Sequence, residues 1–378
     1  MNRIVLLLFG SILISSCIDR IDITIPKSNT SQLVVDGVIT DSPGPYTVKL
    51  SLSESVDGFL KYTRPVTAKQ VTLFDNVGNS EVLEEVETGT FQTKPSGMRG
   101  VVGREYYIRI ETRDAKIYES LPDKLNPVGT LDSLYYEFES YQALNEETQY
   151  GFRFFINSQG LPEGNDLLRW KFTSVFELDA EPKLRLVPCR NGAPCACAAP
   201  PECSGWTVNR QGSVVKVGDC TCCTCWVTRP ETKPHLGDYQ FAENRQGKRI
   251  EVGYIPLDYF PFLKGKNRAE VQQMSLSRQA FDYWKEIQVQ KEGAASLFQS
   301  PAGKLTTTIF EKNGTGRALG IFYASAVKKK QLYLTGDDVP IKFSRIPFWD
   351  CEMGTGRIPQ SCLLAYPFSS TTPPEDWQ

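Results

Sequence analysis

Tyr46-Thr-Val-Lys-Leu-Ser-Leu52 decides how this chain is read. Tyr46, Val48, Leu50 and Leu52 fall on one side of an extended backbone, and Thr47, Lys49 and Ser51 on the other. Alternation with period two marks a strand with one face in a core and one in water. Upstream, Leu33-Val-Val-Asp-Gly-Val-Ile39 is a second apolar run, separated from the first by the turn Pro43-Gly-Pro45. Downstream, Gln70-Val-Thr-Leu-Phe74 repeats the pattern before Asp75-Asn-Val-Gly78. Shorter runs follow at 81–86, 89–93, 105–111 and 117–120. Short strands at such spacing, with Gly, Asn and Pro between them, predict an immunoglobulin-like β-sandwich over residues 31–121.

Leu121-Pro-Asp-Lys-Leu-Asn-Pro127 reads as a linker. Beyond it, 131–378 reads as a larger β-rich domain. Its strongest strands are Tyr150–Ile156 and Leu167–Ser174, with others at 249–255, 271–276, 305–310, 318–324 and 331–334. One long helix is expected near 277–292. Ser277 serves as its N-cap, Ala280, Phe281, Trp284 and Ile287 follow at helical spacing, and Gly293 stops it. The fold class is therefore mainly β: a sandwich followed by a larger β body with one helix and a cysteine-rich insertion at 179–235.

The first sixteen residues have the parts of a secretory signal: Arg3, an apolar run at 4–14, and small residues before Cys17. The run is too short to span a bilayer as a helix. Ile14-Ser-Ser-Cys17 resembles the bacterial lipoprotein processing box, which implies a lipid on Cys17 and a tether at 17–30. The soluble body then sits on a membrane in a disulfide-permissive compartment. With 42 Lys and Arg against 44 Asp and Glu, the charge balance excludes a nucleic-acid binder.

Several stretches together resemble the DUF4249 family of Bacteroidetes outer-membrane lipoproteins. They are Leu33-Val-Val-Asp-Gly-Val-Ile-Thr40, Pro43-Gly-Pro-Tyr-Thr-Val-Lys-Leu-Ser51, Cys225-Trp226, Met274-Ser-Leu-Ser-Arg-Gln-Ala-Phe-Asp-Tyr-Trp-Lys285, Leu319-Gly-Ile-Phe-Tyr-Ala-Ser325 and Pro373-Pro-Glu-Asp-Trp377. The dense cysteine insertion departs from the family pattern. The resemblance implies a non-enzymatic accessory to a TonB-dependent β-barrel transporter of the outer membrane, and it carries over no catalytic residue. A stand-alone adhesion or glycan- or peptide-binding module is the alternative, followed by metal capture through the cysteines.

Ten cysteines follow Cys17: Cys189, Cys195, Cys197, Cys203, Cys220, Cys222, Cys223, Cys225, Cys351 and Cys362. Thiolates at Cys195-Ala-Cys197 and Cys220-Thr-Cys-Cys-Thr-Cys225 suit soft metals, but the even number and the compartment favour disulfides. Cys351 and Cys362 could close a small loop, or one could reach back to Cys225. His235 is the only histidine and sits in Pro234-His-Leu-Gly237, which reads as a surface loop. No catalytic constellation, metal site or cofactor motif emerges. Gly314-Thr-Gly316 and Gly354-Thr-Gly356 are plain turns. Trp170 and Trp284 lie on periodic faces and read as core. Tyr259, Phe260 and Phe262, and Phe348 with Trp349, lack periodicity and are the candidates for an exposed contact surface.

Overall fold

The computed structural model describes residues 31–53, 64–142, 148–159, 167–180, 186–188, 194–197, 201–210, 214–237, 246–257, 265–293, 306–340, 361–366 and 369–377. Cys17 and the segments read as signal and tether, residues 1–30, lie outside them. The longer elements, in chain order, are β1 (Leu33–Thr40), β2 (Thr47–Leu52), β3 (Gln70–Asp75), β4 (Glu105–Glu111), β5 (Ile117–Ser120), β6 (Thr130–Gln142), β7 (Thr148–Gln159), β8 (Leu168–Asp179), β9 (Thr224–Arg229), β10 (Gln246–Pro256), β11 (Asn267–Ser275), α1 (Arg278–Gly293), β12 (Ile309–Glu311), β13 (Arg317–Ser325) and β14 (Val327–Leu334). The chain is mainly β, with an immunoglobulin-like sandwich first and a larger β body after it.

Alternation in β1 and β2 works as the pattern predicts. Val35, Ile39, Val48 and Leu50 point into the first core, and Asp36 and Lys49 face outward. One layer runs β13-β1-β2 and continues through the short strands at 90–92 and 84–87. The facing layer runs β3-β4-β5-β12, and Val71, Leu73, Tyr106, Ile108 and Ile110 close the core from that side. The β12–β13 hairpin joins the two layers.

This joint moves a boundary. Residues 309–325, which the sequence groups with the second body, complete the first. β13 runs parallel to β1, from Val34 opposite Leu319 to Thr40 opposite Ser325. Parallel neighbours need a crossover connection, and here the crossover is most of the second body. The linker reading also changes. Asp123 and Lys124 pair with Tyr106 and Glu105, and Asp123 and Leu125 are buried. These residues are a packed joint, because their polar groups are satisfied by the two bodies on either side.

The second body is another sandwich. β6-β7-β10 form one sheet, and β14-β11-β8-β9 form the other. Phe152, Phe154, Ile156, Val252 and Ile255 meet Leu168, Trp170, Phe172, Ala269, Val271 and Leu334 between them. Helix α1 lies where the bodies meet. Ala280, Phe281 and Tyr283 pack with Val38, Ile321 and Tyr323 of the first body and with Leu167 and Leu236 of the second. Ser277 caps the helix as predicted, its Oγ accepting from the Ala280 N–H at 3.1 Å.

Gly320 makes the β1–β13 contact possible. Its φ is 89°, and a Cβ there would run into the Val35 carbonyl oxygen. Gly320→Ala is expected to cost roughly 2–5 kcal/mol, combining left-handed strain with overpacking. Urea unfolding of the whole soluble chain checks this, and a loss below 1 kcal/mol would contradict the tight approach.

Candidate functional site

Among the described residues, the first sandwich has a cleft at one end. Leu33, Leu50, Leu52, Val66, Ala68 and Tyr118 form the floor and walls of a cleft of about 340 Å³ between its layers. The volume falls within the range of small-ligand pockets, about 300–1,000 Å³. Ser31, Thr67, Thr112, Arg113, Asp114 and Lys116 make the rim. The hairpin at 112–116 is held by paired bonds between the Thr112 hydroxyl and the Lys116 backbone, both at 3.0 Å. Ala115 takes a positive φ at its tip, 64°. Lys116 is 3.6 Å from Asp114, whereas Arg113 has no carboxylate partner among the described residues. An apolar group with an anionic or hydrogen-bond-accepting head matches this arrangement.

Two buried polar clusters hold the two bodies together. In the first, Asp123 accepts from the Ala324 N–H at 2.9 Å, from Gln279 Nε2 at 2.7 Å and from the Ser277 hydroxyl. One carboxylate thus joins the joint, β13 and the start of α1. Burial raises its pKa above the ordinary carboxylate value, and the hydrogen bonds from Ala324, Ser277 and Gln279 oppose that shift. In the second cluster, Arg169 on β8 ion-pairs with Glu231, donates to the Tyr323 hydroxyl at 3.1 Å and lies 3.5 Å over the Trp284 ring. The Arg169 and Glu231 side chains are 5% and 11% exposed, so both charges are dry. Burial works against the Arg169 charge, but Tyr323 and Glu231 hold its pKa up. Burial pushes the Glu231 pKa up, and Arg169 opposes this. Trp284 therefore packs at a polar junction as well as on the apolar face that the periodicity indicated.

The cysteines form three bridges among the described residues: Cys203–Cys222, Cys220–Cys223 and Cys225–Cys362. The third ties β9 to a segment 137 residues later. Around it, Phe176, Leu178, Ala180 and Val227 form a small core of their own. Cys195 and Cys197 lie on a short strand at 194–197; Cys189 and Cys351 lie outside the described residues. So do the candidate contact residues Tyr259, Phe260, Phe262, Phe348 and Trp349. Among the described residues no group of three or more His, Cys, Asp and Glu is placed to hold a metal ion. His235 departs from the loop reading: it lies on a short strand opposite Trp170, and burial, then Lys233, holds its pKa low. Pairing with β8 draws it in. The cleft was missed because its floor residues are spread from 33 to 118 and look like ordinary core in sequence.

Two clasped β-sandwiches, one with a cleft at its end and the other braced by cystines, make up a mainly β architecture. The chain belongs to the DUF4249 family, a domain of unknown function whose model matches residues 18–331. No curated protein matches it.

Asp123→Ala leaves the Ala324 N–H and the Ser277 hydroxyl without their acceptor and should cost about 2–4 kcal/mol in urea unfolding. Asp123 also sets a sign in pH. Its unfolded pKa is about 4 and its folded pKa is higher, so folding takes up a proton between the two values. Its stabilising contribution is present below the unfolded pKa and lost as pH rises through the folded one. Asp123→Asn should flatten that slope, and an unchanged slope would count against the assignment. Glu231→Ala strands a buried guanidinium and should cost about 3–5 kcal/mol, whereas Arg169→Met with Glu231→Leu should cost less. A double-mutant cycle by denaturant unfolding compares the two.

Proposed function

We propose that this protein is a lipid-anchored, non-enzymatic binding protein of the outer membrane that works beside a TonB-dependent β-barrel in substrate capture or uptake. One observation carries the reading: Ser31, the first described residue, lies on the rim of the cleft. It stands fourteen positions after Cys17, a reach of at most about 50 Å when extended. An anchor at Cys17 therefore tethers the protein by its cleft end, where a membrane partner could present a ligand. Two further features support the reading. The buried charges at 123, 169 and 231 are engaged in clasps between elements. Among the described residues no helix is long and apolar enough to cross a membrane; in this proposal the anchor is the lipid at Cys17.

The test is affinity purification of the lipidated full-length protein from detergent-solubilised membranes. A TonB-dependent barrel is expected in near-stoichiometric yield. Arg113→Glu, on the exposed rim, should cut its recovery at least fivefold with an unchanged melting temperature. Consistent failure to recover a barrel with the correctly anchored protein would refute the proposal.

A further inference from the structure

The outward face of the β14-β11-β8-β9 sheet carries a second, separate constellation. Arg268 and Glu270 on β11, and Lys329 and Tyr333 on β14, share that face by period-two alternation. Trp226 on β9 flanks them. The segment 373–377 rests on these residues. Asp376 ion-pairs with Arg268 through one carboxylate oxygen and with Lys329 through the other at 2.8 Å. The Tyr333 hydroxyl donates to the Asp376 carbonyl at 3.3 Å. The Trp377 ring meets Tyr333 and Trp226 edge to face, with centroids 5.6 and 6.3 Å away, and Arg268 stands 5.8 Å from its centroid.

Charge and donor counts show what this surface selects. Lys329 also pairs with Glu270 at 2.8 Å. Without Asp376, two cations would face one carboxylate, and Arg268, whose side chain is only 8% exposed, would lose its partner. Arg268 Nε and Trp226 Nε1 are buried donors that remain without an acceptor even when the segment is seated. The surface thus demands an anion, offers an aromatic slot beside it, and has donor capacity to spare. Charge-assisted bonds hold an acidic group and edge-to-face contacts hold an aromatic ring, so the two side by side suit an acidic residue next to an aromatic one.

We propose that this face is a recognition site for an acidic–aromatic pair in a peptide, and that Asp376 and Trp377 fill it in cis. A partner chain presenting Asp or Glu followed by Trp is the ligand class for the site in trans. The segment is kept at high local concentration because Cys225–Cys362 fixes its upstream end to β9 and residues 369–370 pair with that strand. A ligand in trans must therefore compete with an intramolecular one. This inference goes beyond the membrane-partner reading and does not depend on it.

The test uses the full soluble chain and a fluorescein-labelled peptide, Thr-Thr-Pro-Pro-Glu-Asp-Trp-Gln. With Asp376→Ala and Trp377→Ala together, the site is vacated. Fluorescence anisotropy should show saturable binding at least tenfold tighter than to the wild type. Lys329→Glu added to that background should weaken it at least fivefold, and so should Asp→Asn with Trp→Ala in the peptide. A folded double variant that binds no tighter than the wild type, or equal binding of the altered peptide, overturns the proposal. A second measurement covers a variant that does not fold. Excess peptide added to the wild type should speed hydrogen exchange at 370–377 at least threefold, and no change there also overturns it.

Discussion

Parallel pairing of Leu33–Thr40 with Arg317–Ser325 is the constraint on which the rest of the molecule depends. It brings the start of the first sandwich against a strand almost 290 residues later, so neither body is contiguous in sequence. The first core closes only when β12 and β13 return to it, with Ile309, Ala318, Phe322 and Ala324 filling the space between the layers. β14 then leaves directly for the second body, where it pairs with β11. The chain thus crosses between bodies before β6 and again on each side of the β12–β13 hairpin. The crossings before β6 and after β13 carry buried polar groups whose partners lie on the other side.

Those crossings explain why charge is buried where it is. Asp123 answers a backbone N–H of β13 and the cap of α1 at once, and Ser275 similarly donates to Asn126 and accepts from the Ala326 N–H. Arg169 does the same with side chains, reaching from β8 to Tyr323 of the first body through the face of Trp284. Burying such groups costs solvation, and an apolar joint could be as stable. What polar clasps add is direction: each bond is made in one relative placement of the bodies, which holds the cleft and the outer sheet face in a set relation.

Cross-links take the place of packing in the insertion. Between Ala180 and Thr224 there are few large apolar side chains, and Cys203–Cys222 and Cys220–Cys223 brace its base. Cys225–Cys362 has a different part. It lies in a small core with Phe176 and Leu178 and fixes the later segment beside β9, from where residues 373–377 reach the face of the large sheet.

Much of the local structure was legible in the sequence. Alternation at 46–52 and the Ser277 cap depend on neighbours within a turn or a strand, and the period of apolar residues reports them directly. Cys362 reaching Cys225 was one of several pairings left open, since spacing does not say which thiols meet. The domain boundary, the buried joint at Asp123 and the strand setting of His235 were not legible. Each depends on partners far away in the chain. Likewise, Trp226, Arg268, Lys329, Tyr333 and Asp376 carry no common motif and meet only because two sheet strands and a returning segment bring them together. By itself, then, the sequence determined the mainly β class, the helix and its N-cap, and a disulfide-rich insertion, because backbone periodicity and side-chain chemistry act locally. Tertiary structure alone decided which strands share a sheet, which charges are buried together and where the cleft opens, because those outcomes turn on contacts between residues that the chain separates by hundreds of positions.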